Sequence, residues 1–418
     1  MEYKSVRDVN GRFQNVGGPP PGMTMGNLIT IMGKNMAKDK ACRPQVDIPV
    51  TPMTAEALRD ACPMSMWKLS HSSVLMKFPG SGRGSSGLLV LTDPVFSERA
   101  SPFKMAGPRR FSRMPITADE MPDVHVVMIS HNHYDHLDEE TIKTLAPKTS
   151  HFLVPLALGE TLVGFGVPRA KIRELDWWQC TDIGDLRFVC SPAQHHSGRG
   201  LFDRMKTLWC SWSIHMRYQT WTEPALTGPD GQRWSVNLPA IPEPLERVEG
   251  NIAEGQNAAP TVSTETAPTL DLPVKDFKLF FSGDSGYHLM YPAIGKVCGP
   301  YDVTLMENGQ YNREYWPYNH MLPEQTVRAH LELRGRWMVP IHNCTFDLGF
   351  HTWEDPLECS LALCREQGVN LCTPMFGERV DLLHINTCSR WWRKVLKQED
   401  RLTAEQEADN EPKSLDAV

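Results

Sequence analysis

The residues most able to do chemistry stand together in one short loop: His131, His133, Asp135 and His136. The run at 124–129 before them is apolar and β-branched, which is typical of a buried strand. Side chains two residues apart point to the same side of an extended backbone, and the turn that follows adds Asp135 and His136. Imidazole nitrogens and carboxylate oxygens are ligands of zinc and related divalent cations. The loop therefore predicts a metal site rather than scattered surface histidines.

Three more candidate ligands follow apolar, strand-like runs elsewhere in the chain: His195, Asp284 and His342. Consecutive strand residues face opposite ways, so only one of His195 and His196 can point at the metals. Asp284 lies in the sequence Gly-Asp-Ser-Gly, where glycine lets the backbone turn sharply and present the carboxylate. Together with the loop, these residues give seven donors, too many for one tetrahedral zinc. The sequence thus predicts two cations that share Asp284.

The two predicted cations divide the remaining ligands between them. We assign His131, His133 and His195 to the first cation, and Asp135, His136 and His342 to the second. A pair about 3.5–4 Å apart lowers the pKa of a bridging water toward about 7 and clamps an in-line displacement at phosphorus. Asp135 and Asp284 are therefore the predicted catalytic carboxylates.

Four further residues are candidates for supporting roles. Asp93 ends a buried, strand-like run, where it could hold the ring N–H of a metal-bound histidine or cap the turn that follows. His71, in a strand–turn–strand pattern, is predicted to support the ligands or the fold. Arg109 and Arg110 belong to a basic and apolar stretch, which could bind a phosphate attached to an apolar body or be an ordinary solvated loop.

Composition and charge exclude several classes of function. The chain has 418 residues, of which 41% are hydrophobic and 22% charged, as in a globular protein. Its net charge of −7 gives no electrostatic footprint for nucleic acid. The 11 cysteines are scattered and form no Cys-x-x-Cys pair, which predicts free thiols in a reducing, cytoplasmic compartment. The sequence shows neither a secretory signal nor an apolar run long enough to span a bilayer, so we expect any membrane contact to be peripheral.

The pattern along the chain predicts one large domain with two flanking segments. Residues 1–62 are polar and are interpreted as an N-terminal extension, residues 63–395 as the domain, and residues 396–418 as a charged tail. Residues 219–275 are rich in Pro, Thr, Glu and Asn, which predicts a disordered insertion. Strand–helix–strand units followed by antiparallel-looking strands predict a layered α/β fold.

Several of these motifs resemble the metallo-β-lactamase fold superfamily, and within it the N-acyl-phosphatidylethanolamine-hydrolysing phospholipase D family. The segments that carry the resemblance are Thr-Asp-Pro-Val-Phe-Ser-Glu-Arg-Ala-Ser-Pro at 92–102, the histidine loop, Glu-Leu-Asp-Trp-Trp at 174–178 and Gly-Asp-Ser-Gly-Tyr at 283–287. The histidine loop alone is typical of the superfamily, whereas the segments at 92–102 and 174–178 point to the narrower family. The resemblance implies an αβ/βα sandwich of two mixed sheets flanked by helices, with the metals at one edge.

The resemblance also implies an activity. It would make the protein a zinc-dependent phosphodiesterase of the phospholipase D type, with two Zn²⁺ per chain and a bridging hydroxide as nucleophile. The substrate would be N-acyl-phosphatidylethanolamine, the products N-acylethanolamine and phosphatidic acid, and the assembly a homodimer. By the family pattern, Asn319 and His320 lie where residues approach the substrate. The chain departs from the pattern at Cys344 and Ser285, neither of which is a predicted ligand.

Three other functions are alternatives to a zinc-dependent phosphodiesterase. A hydrolase of a soluble phosphorylated lactone or ester would keep the fold and the metals, because zinc-bound hydroxide also attacks carbonyl carbon. A di-iron redox protein is disfavoured because the di-iron members of the superfamily carry Glu where this chain has His133. A metal-free binding module is disfavoured because every ligand position of the pattern is filled.

Overall fold

Two mixed β-sheets form the centre of the molecule. A computed structural model of the chain describes residues 4–17, 30, 33–34, 38–80, 87–200, 202–219, 246–247, 274–386 and 390–410. The predicted insertion at 219–275 therefore lies outside the described residues except for 219, 246–247 and 274–275, as does the end of the predicted charged tail.

Runs of strands are separated by helices along the described chain. In chain order the strands are β1 (Val6–Arg7), β2 (Phe13–Gln14), β3 (Ser65–Lys68), β4 (Val74–Phe78), β5 (Leu88–Thr92), β6 (Val124–Met128), β7 (Thr149–Pro155), β8 (Ile172–Leu175), β9 (Gln179–Ile183), β10 (Leu186–Ser191), β11 (Ser211–Gln219), β12 (Glu246–Arg247), β13 (Val274–Phe281), β14 (Tyr301–Glu307), β15 (Gly335–Ile341), β16 (Asn370–Leu371) and β17 (Arg379–Asp381). The helices are α1 (Ala55–Asp60), α2 (Glu139–Leu145), α3 (Gly159–Gly164), α4 (Tyr291–Val297), α5 (Pro323–Glu332), α6 (Asp355–Gln367) and α7 (Trp391–Asn410), with short 3₁₀ turns at Lys40–Cys42, Ala146–Lys148 and Arg169–Lys171.

Each sheet combines antiparallel and parallel pairs. One sheet has the order β17-β3-β4-β5-β6-β7-β8 and becomes parallel from β5 to β8. The other has the order β12-β9-β10-β11-β13-β14-β15-β16 and is parallel from β13 to β16. Parallel neighbours end at the same edge of a sheet, so the loops that leave β5, β6, β13, β14 and β15 can meet.

The two faces of the first sheet are buried against different partners. Val126 and Met128 of β6 pack in the core between the sheets, whereas Val127 and Ile129 pack with helix residues such as Ile142. This follows from the alternation of side chains along a strand, and burial of both faces explains why β6 is apolar apart from His125. The layered α/β architecture predicted from the sequence is thereby confirmed as two mixed sheets flanked by helices.

The polar N-terminal stretch contributes to the fold although its composition predicts an extension. Phe13 is 1% exposed and belongs to the core between the sheets, and its N–H donates to the Met205 carbonyl at 2.8 Å. Leu58 of α1 packs on the outer face of the first sheet, and Ile48 joins a separate cluster with Trp391 and others. The described parts of residues 1–62 are thus packed onto the domain.

Among the described residues, every helix is too short or too polar to cross a lipid bilayer.

Candidate metal centre

Strand ends from both sheets deliver the predicted ligands to one place. The loop 131–136 follows β6, His195 follows β10, Asp284 follows β13, and His342 comes directly after β15. Their nitrogen and oxygen atoms cluster within 4.8 Å in two groups of four residues, namely His131, His133, His195 and Asp284 in one group and Asp135, His136, His342 and His71 in the other. Asp284 also lies close to the second group. All except His133 and Asp135 are buried, which sets the centre just below the surface.

The first group contains three imidazoles and one carboxylate oxygen. His133 Nδ1 lies 2.8 Å from His131 Nε2 and 3.2 Å from His195 Nε2. The Asp284 Oδ2 atom lies 3.8 Å from His131 Nε2 and 3.6 Å from His195 Nε2. These four are the residues assigned from the sequence to the first cation.

The second group surrounds the other oxygen of the same carboxylate. Asp284 Oδ1 lies 3.0 Å from His136 Nε2 and 3.0 Å from His342 Nε2. Asp135 Oδ2 lies 3.7 Å from each of the same two nitrogens. The two oxygens of Asp284 therefore face two different groups, which is the arrangement that a bridging carboxylate requires.

The spacing of these atoms fits metal ligation. Ligands of a zinc ion lie about 2.0–2.2 Å from it, so two ligands of one tetrahedral zinc are about 3.4 Å apart. Two of the atoms involved, His136 Nε2 and Asp284 Oδ1, are buried and make no hydrogen bond within the described residues, despite their 3.0 Å separation. Buried polar atoms that lack a hydrogen-bond partner point to a bound ion.

Charge and burial prepare the ligands to bind cations. Burial lowers the pKa of His131 and of His195 well below the usual value, so both imidazoles are neutral and offer a lone pair. Burial would raise the pKa of Asp284, but His136 and His342 outweigh it and hold that pKa well below its usual value. Burial would likewise lower the pKa of His136, yet the Asp284 and Asp135 carboxylates raise it well above the usual value. The carboxylates of Asp284 and Asp135 thus make the centre attractive to cations.

A chain of hydrogen bonds around Asp93 orients two of the ligands. Asp93 Oδ2 lies 2.6 Å from His136 Nδ1, and Asp93 accepts from the Ser130 N–H at 2.7 Å and the Ser130 hydroxyl at 2.6 Å. Because that hydroxyl donates to Asp93, it can accept from His131 Nδ1–H, 2.9 Å away. Both imidazoles therefore present Nε2 to the centre. Asp93 thus contacts a ligand histidine, which is one of the two roles predicted for it from the sequence.

His195 is fixed through its own backbone and ring. Its Nδ1–H donates to the Asn319 carbonyl at 2.9 Å. The Asn15 amide donates to the His195 carbonyl at 2.9 Å and accepts from the His195 N–H at 3.0 Å. Asn15 is 5% exposed and lies in the stretch that the sequence suggested was an extension, so nothing in its local pattern indicated this role.

Three backbone features allow the loops that carry the ligands to pack closely against each other. Gly283 has φ +55°, and a Cβ built on it would stand 2.5 Å from the Ser130 Cβ. A Cβ on Gly309 would stand 2.1 Å from the His342 carbonyl oxygen. His342 itself has φ +64°, a left-handed conformation that is uncommon for residues other than glycine.

The structure gives Arg110 contacts within the protein. Its guanidinium is buried, donates to the Val95 and Ser97 carbonyls at 2.8 and 2.9 Å, and packs over the Phe346 ring. Burial lowers the pKa of Arg110 to about 10. A guanidinium used in this way holds the loop together, and its contact with a phosphate stays a prediction.

The other predicted substrate-binding residues are placed differently. Arg109 is exposed and pairs with Glu98 at 3.2 Å. His320 is buried beside the metal centre, with its ring stacked on that of His342 at a centroid distance of 5.1 Å. Asn319 offers its carbonyl to His195 rather than a side chain. For Arg109 and the Asn319 side chain, a contact with substrate stays a prediction.

Sequence reasoning missed two residues near the centre, Gln310 and Glu307, and placed a third, His71, further from the metals than the structure does. His71 lies closer than expected, with Nε2 3.3 Å from Asp135 Oδ2. Gln310, just beyond β14, places Nε2 3.3 Å from the same oxygen. Glu307 is buried and lies 2.9 Å from His320 Nδ1. The strand-end position of the last two was the available signal, because the other polar residues of the centre also follow strands.

Two cavities lie among the described residues. One, of about 490 Å³, lies beside the histidine loop and is lined by residues that include Arg99, Phe103, Lys104, Tyr134 and Arg199. The other, of about 520 Å³, is mostly apolar and is lined by residues that include Tyr311, Leu322, Phe350, His351 and Leu363. Tyr134 lies between His133 and Asp135 in sequence, so the 490 Å³ cavity adjoins the histidine loop.

Comparison with known proteins places this centre in a family. The model of the beta-lactamase superfamily domain matches residues 89–225 and 251–343. An uncharacterized protein of Mycobacterium tuberculosis is 34% identical over 371 residues, which cover 88% of this chain and 81% of the relative.

Two relatives have names that describe an activity. The N-acyl-phosphatidylethanolamine-hydrolyzing phospholipase D 1 of Caenorhabditis elegans is 25% identical over 354 residues, or 81% of this chain and 80% of the relative. The mitochondrial enzyme of the same name from Saccharomyces cerevisiae is 36% identical over 134 residues, or 31% of this chain and 28% of the relative. The family resemblance predicted from the motifs is thereby confirmed. The chain belongs to the metallo-β-lactamase superfamily, as a hydrolase of that fold whose site implies divalent metal ions.

Proposed function

We propose that the protein is a phosphodiesterase that hydrolyses N-acyl-phosphatidylethanolamine to N-acylethanolamine and phosphatidic acid. The observation that carries this proposal is Asp284, whose two carboxylate oxygens face two separate groups of ligand atoms. We further propose that the two groups hold two Zn²⁺, because three imidazoles and one carboxylate form a ligand set that zinc favours. The names of the nematode and yeast relatives support this substrate over others of the superfamily.

Two cations bound at these positions would act as Lewis acids on the phosphoryl oxygens and would supply a nucleophile from water near neutral pH. The protein's own contribution is to hold the ligands rigidly. Asp93 and the Asn319 carbonyl fix the tautomers of His136 and His195, and Asn15 fixes the backbone of His195. The reacting phosphoryl group would then meet a centre that needs little reorganisation.

His320 is the residue best placed to contact the substrate beside the metals. Glu307 accepts from the Met321 N–H at 2.5 Å and lies 2.9 Å from His320 Nδ1, so it accepts the ring N–H at that nitrogen. The other ring nitrogen, Nε2, then carries a lone pair and can accept a hydrogen bond from the amide N–H of the substrate. Burial raises the pKa of Glu307, and the neighbouring His320 opposes that rise. We propose that Glu307 orients His320 to accept a hydrogen bond from the substrate amide.

A phospholipid substrate requires contact with a bilayer or micelle. Phe103 and Met105, at the tip of the loop beside the 490 Å³ cavity, are 67% and 90% exposed. Apolar side chains at such exposure suit insertion between lipid headgroups, and Lys104 between them suits anionic lipid. We therefore propose peripheral membrane contact through this tip. The family resemblance is also the ground for proposing a homodimer, which sedimentation of the full chain tests.

The test is a substrate panel with metal content measured on the same sample. The protein is assayed with N-acyl-phosphatidylethanolamine in vesicles, with phosphatidylcholine, and with a phosphorylated lactone. We expect hydrolysis of the first, with loss of more than a thousandfold in His131→Ala and Asp284→Asn that remain folded by circular dichroism. Asp119→Asn, an exposed carboxylate remote in sequence from the ligands, is the matched control. Preference for the lactone, or wild-type hydrolysis by folded Asp284→Asn, would refute the proposal.

A further inference from the structure

The side chain of Gln310 enters the second ligand group. Its Nε2 atom lies 3.3 Å from Asp135 Oδ2, 3.3 Å from His342 Nε2 and 3.2 Å from His71 Nε2. Asp135 and His342 are two of the residues assigned to the second cation. Since ligands of one zinc ion are about 3.4 Å apart, the end of the Gln310 amide stands at the spacing of a further ligand.

The backbone holds Gln310 in this position. Its N–H donates to His351 Nε2 at 2.9 Å, and the Trp316 indole N–H donates to its carbonyl. Gln310 has φ +56°, a left-handed conformation that costs a residue with a Cβ about 1–2 kcal/mol. Strain of this kind is commonly found where a side chain is held for function. The amide is therefore placed by the surrounding structure rather than by chance on a mobile surface.

The chemistry of the amide decides which of its ends faces the cation. An NH₂ group needs acceptors, and Asp135 Oδ2 and two imidazole nitrogens lie around it. A bound cation would use the lone pairs of Asp135 and His342, and it would repel the NH₂ hydrogens. Rotation about the last side-chain bond exchanges nitrogen and oxygen without moving the backbone, since the two ends of the amide have nearly the same shape. The oxygen then replaces the nitrogen at the ligand spacing.

We propose that Gln310 binds the second cation through Oε1, as a fifth donor beside Asp135, His136, His342 and Asp284. This inference rests on the proposed two-cation centre and makes its two sites unequal. The first site has three nitrogen donors and one oxygen, whereas the second has two nitrogen donors and three oxygens. His71 Nε2, at 3.2 Å from the amide, is placed to donate to the same oxygen and hold it. The second site is thus suited to five-coordination and to harder cations than the first.

The experiment titrates chelator-stripped protein with Zn²⁺ in competition with a chromophoric chelator. Wild type should bind two equivalents, and Gln310→Met should weaken the second equivalent about tenfold or more while leaving the first unchanged. Gln310→Glu, which keeps an oxygen donor, should bind the second equivalent at least as tightly as wild type. Gln367→Met makes the same chemical change on the exposed end of α6 and should match wild type.

Two further measurements separate ligation from folding and from the proposed activity. Gln310→Gly removes the amide and relieves the left-handed backbone, so it should fold as stably as wild type and still bind the second equivalent about tenfold or more weakly. Co²⁺ added as the second equivalent should absorb more strongly in Gln310→Met than in wild type, because four-coordinate Co²⁺ absorbs more than five-coordinate Co²⁺. Two equivalents of unchanged affinity and identical spectra in all Gln310 variants would overturn this inference alone. A single equivalent in wild type would instead refute the two-cation centre.

Discussion

Lys68 is a buried cation next to the strand that leads to His342. Its Nζ donates to Asn343 Oδ1 at 2.7 Å and to the Pro340 carbonyl at 3.2 Å, and it stands over the Phe376 ring. Burial lowers the pKa of Lys68 to about 8, against a weak opposing effect of Cys344. Its partners are neutral, so the charge is stabilised by dipoles and the aromatic face alone.

This shift predicts a pH dependence of stability. Between about pH 8 and 10.5 the unfolded chain binds the Lys68 proton and the folded chain does not, so the free energy of unfolding rises with pH. The full gain is about 3 kcal/mol. Lys68→Met lacks this gain, so urea unfolding of chelator-stripped proteins from pH 7 to 10 should show wild type becoming more stable relative to the variant. Lys104→Met on an exposed loop is the control, and a constant difference between wild type and Lys68→Met would contradict the prediction.

Individual residues differ in how readily the sequence alone identifies them as part of the site. The four ligands of the loop 131–136 are recognisable because their spacing follows from the geometry of one strand and its turn. Gln310 and Asn15 are recognisable only after folding, because each meets the centre from a distant part of the chain. Arg110 has the composition of a phosphate-binding residue, but the carbonyls that enclose it come from a turn that no local pattern predicts.

The elements of the site are loops that must pass very close to each other. The Gly-Asp-Ser-Gly turn after β13 packs on Ser130, which precedes the histidine loop, and Gly283 is the contact. The strands on either side were predictable from their apolar runs, and the structure has β6 and β13 where those runs are. The closeness of their loops was not predictable, since it depends on the way the two sheets face each other.

A glycine pair tests this contact. Gly283→Ala adds a Cβ 2.5 Å from Ser130 Cβ at a positive φ, so it should destabilise the protein by about 2–4 kcal/mol and weaken metal binding. Gly164→Ala places a Cβ in open space at the end of α3 and should change stability by less than about 1 kcal/mol, toward greater stability. Thermal unfolding and metal content of both variants check this. Equal effects of the two substitutions would show that the contact with Ser130 does not hold the turn.

The whole molecule presents its metal centre beside an exposed apolar tip. The loop at 102–122 carries Phe103 and Met105 outward, whereas Arg110 anchors the same loop inside. An anchored loop can bear insertion into a headgroup layer without unfolding. The layered α/β class could be predicted from the order of strands and helices alone. The exposed tip at Phe103 and Met105 depends on tertiary packing, so only the structure shows it.

Vesicle binding tests the role of the tip. Phe103→Ser combined with Met105→Ser removes both apolar side chains and should reduce sedimentation with vesicles of anionic phospholipid about tenfold or more, since each buried apolar side chain contributes about 1.5–3 kcal/mol. Hydrolysis of a detergent-dispersed substrate should remain near the wild-type rate. Val9→Ser, at a fully exposed position in the N-terminal hairpin, should leave vesicle binding unchanged. Unchanged sedimentation of the double variant would assign the membrane contact elsewhere.

The proposed metal centre depends on one carboxylate, that of Asp284, binding two cations. Anomalous diffraction from crystals of zinc-loaded protein measures this most directly, because it locates each metal independently of activity. We expect two peaks about 3.5–4 Å apart, one within ligand distance of His131, His133 and His195 and the other of Asp135, His136 and His342, with Asp284 between them. A single peak, or two peaks that do not both adjoin Asp284, would contradict the account.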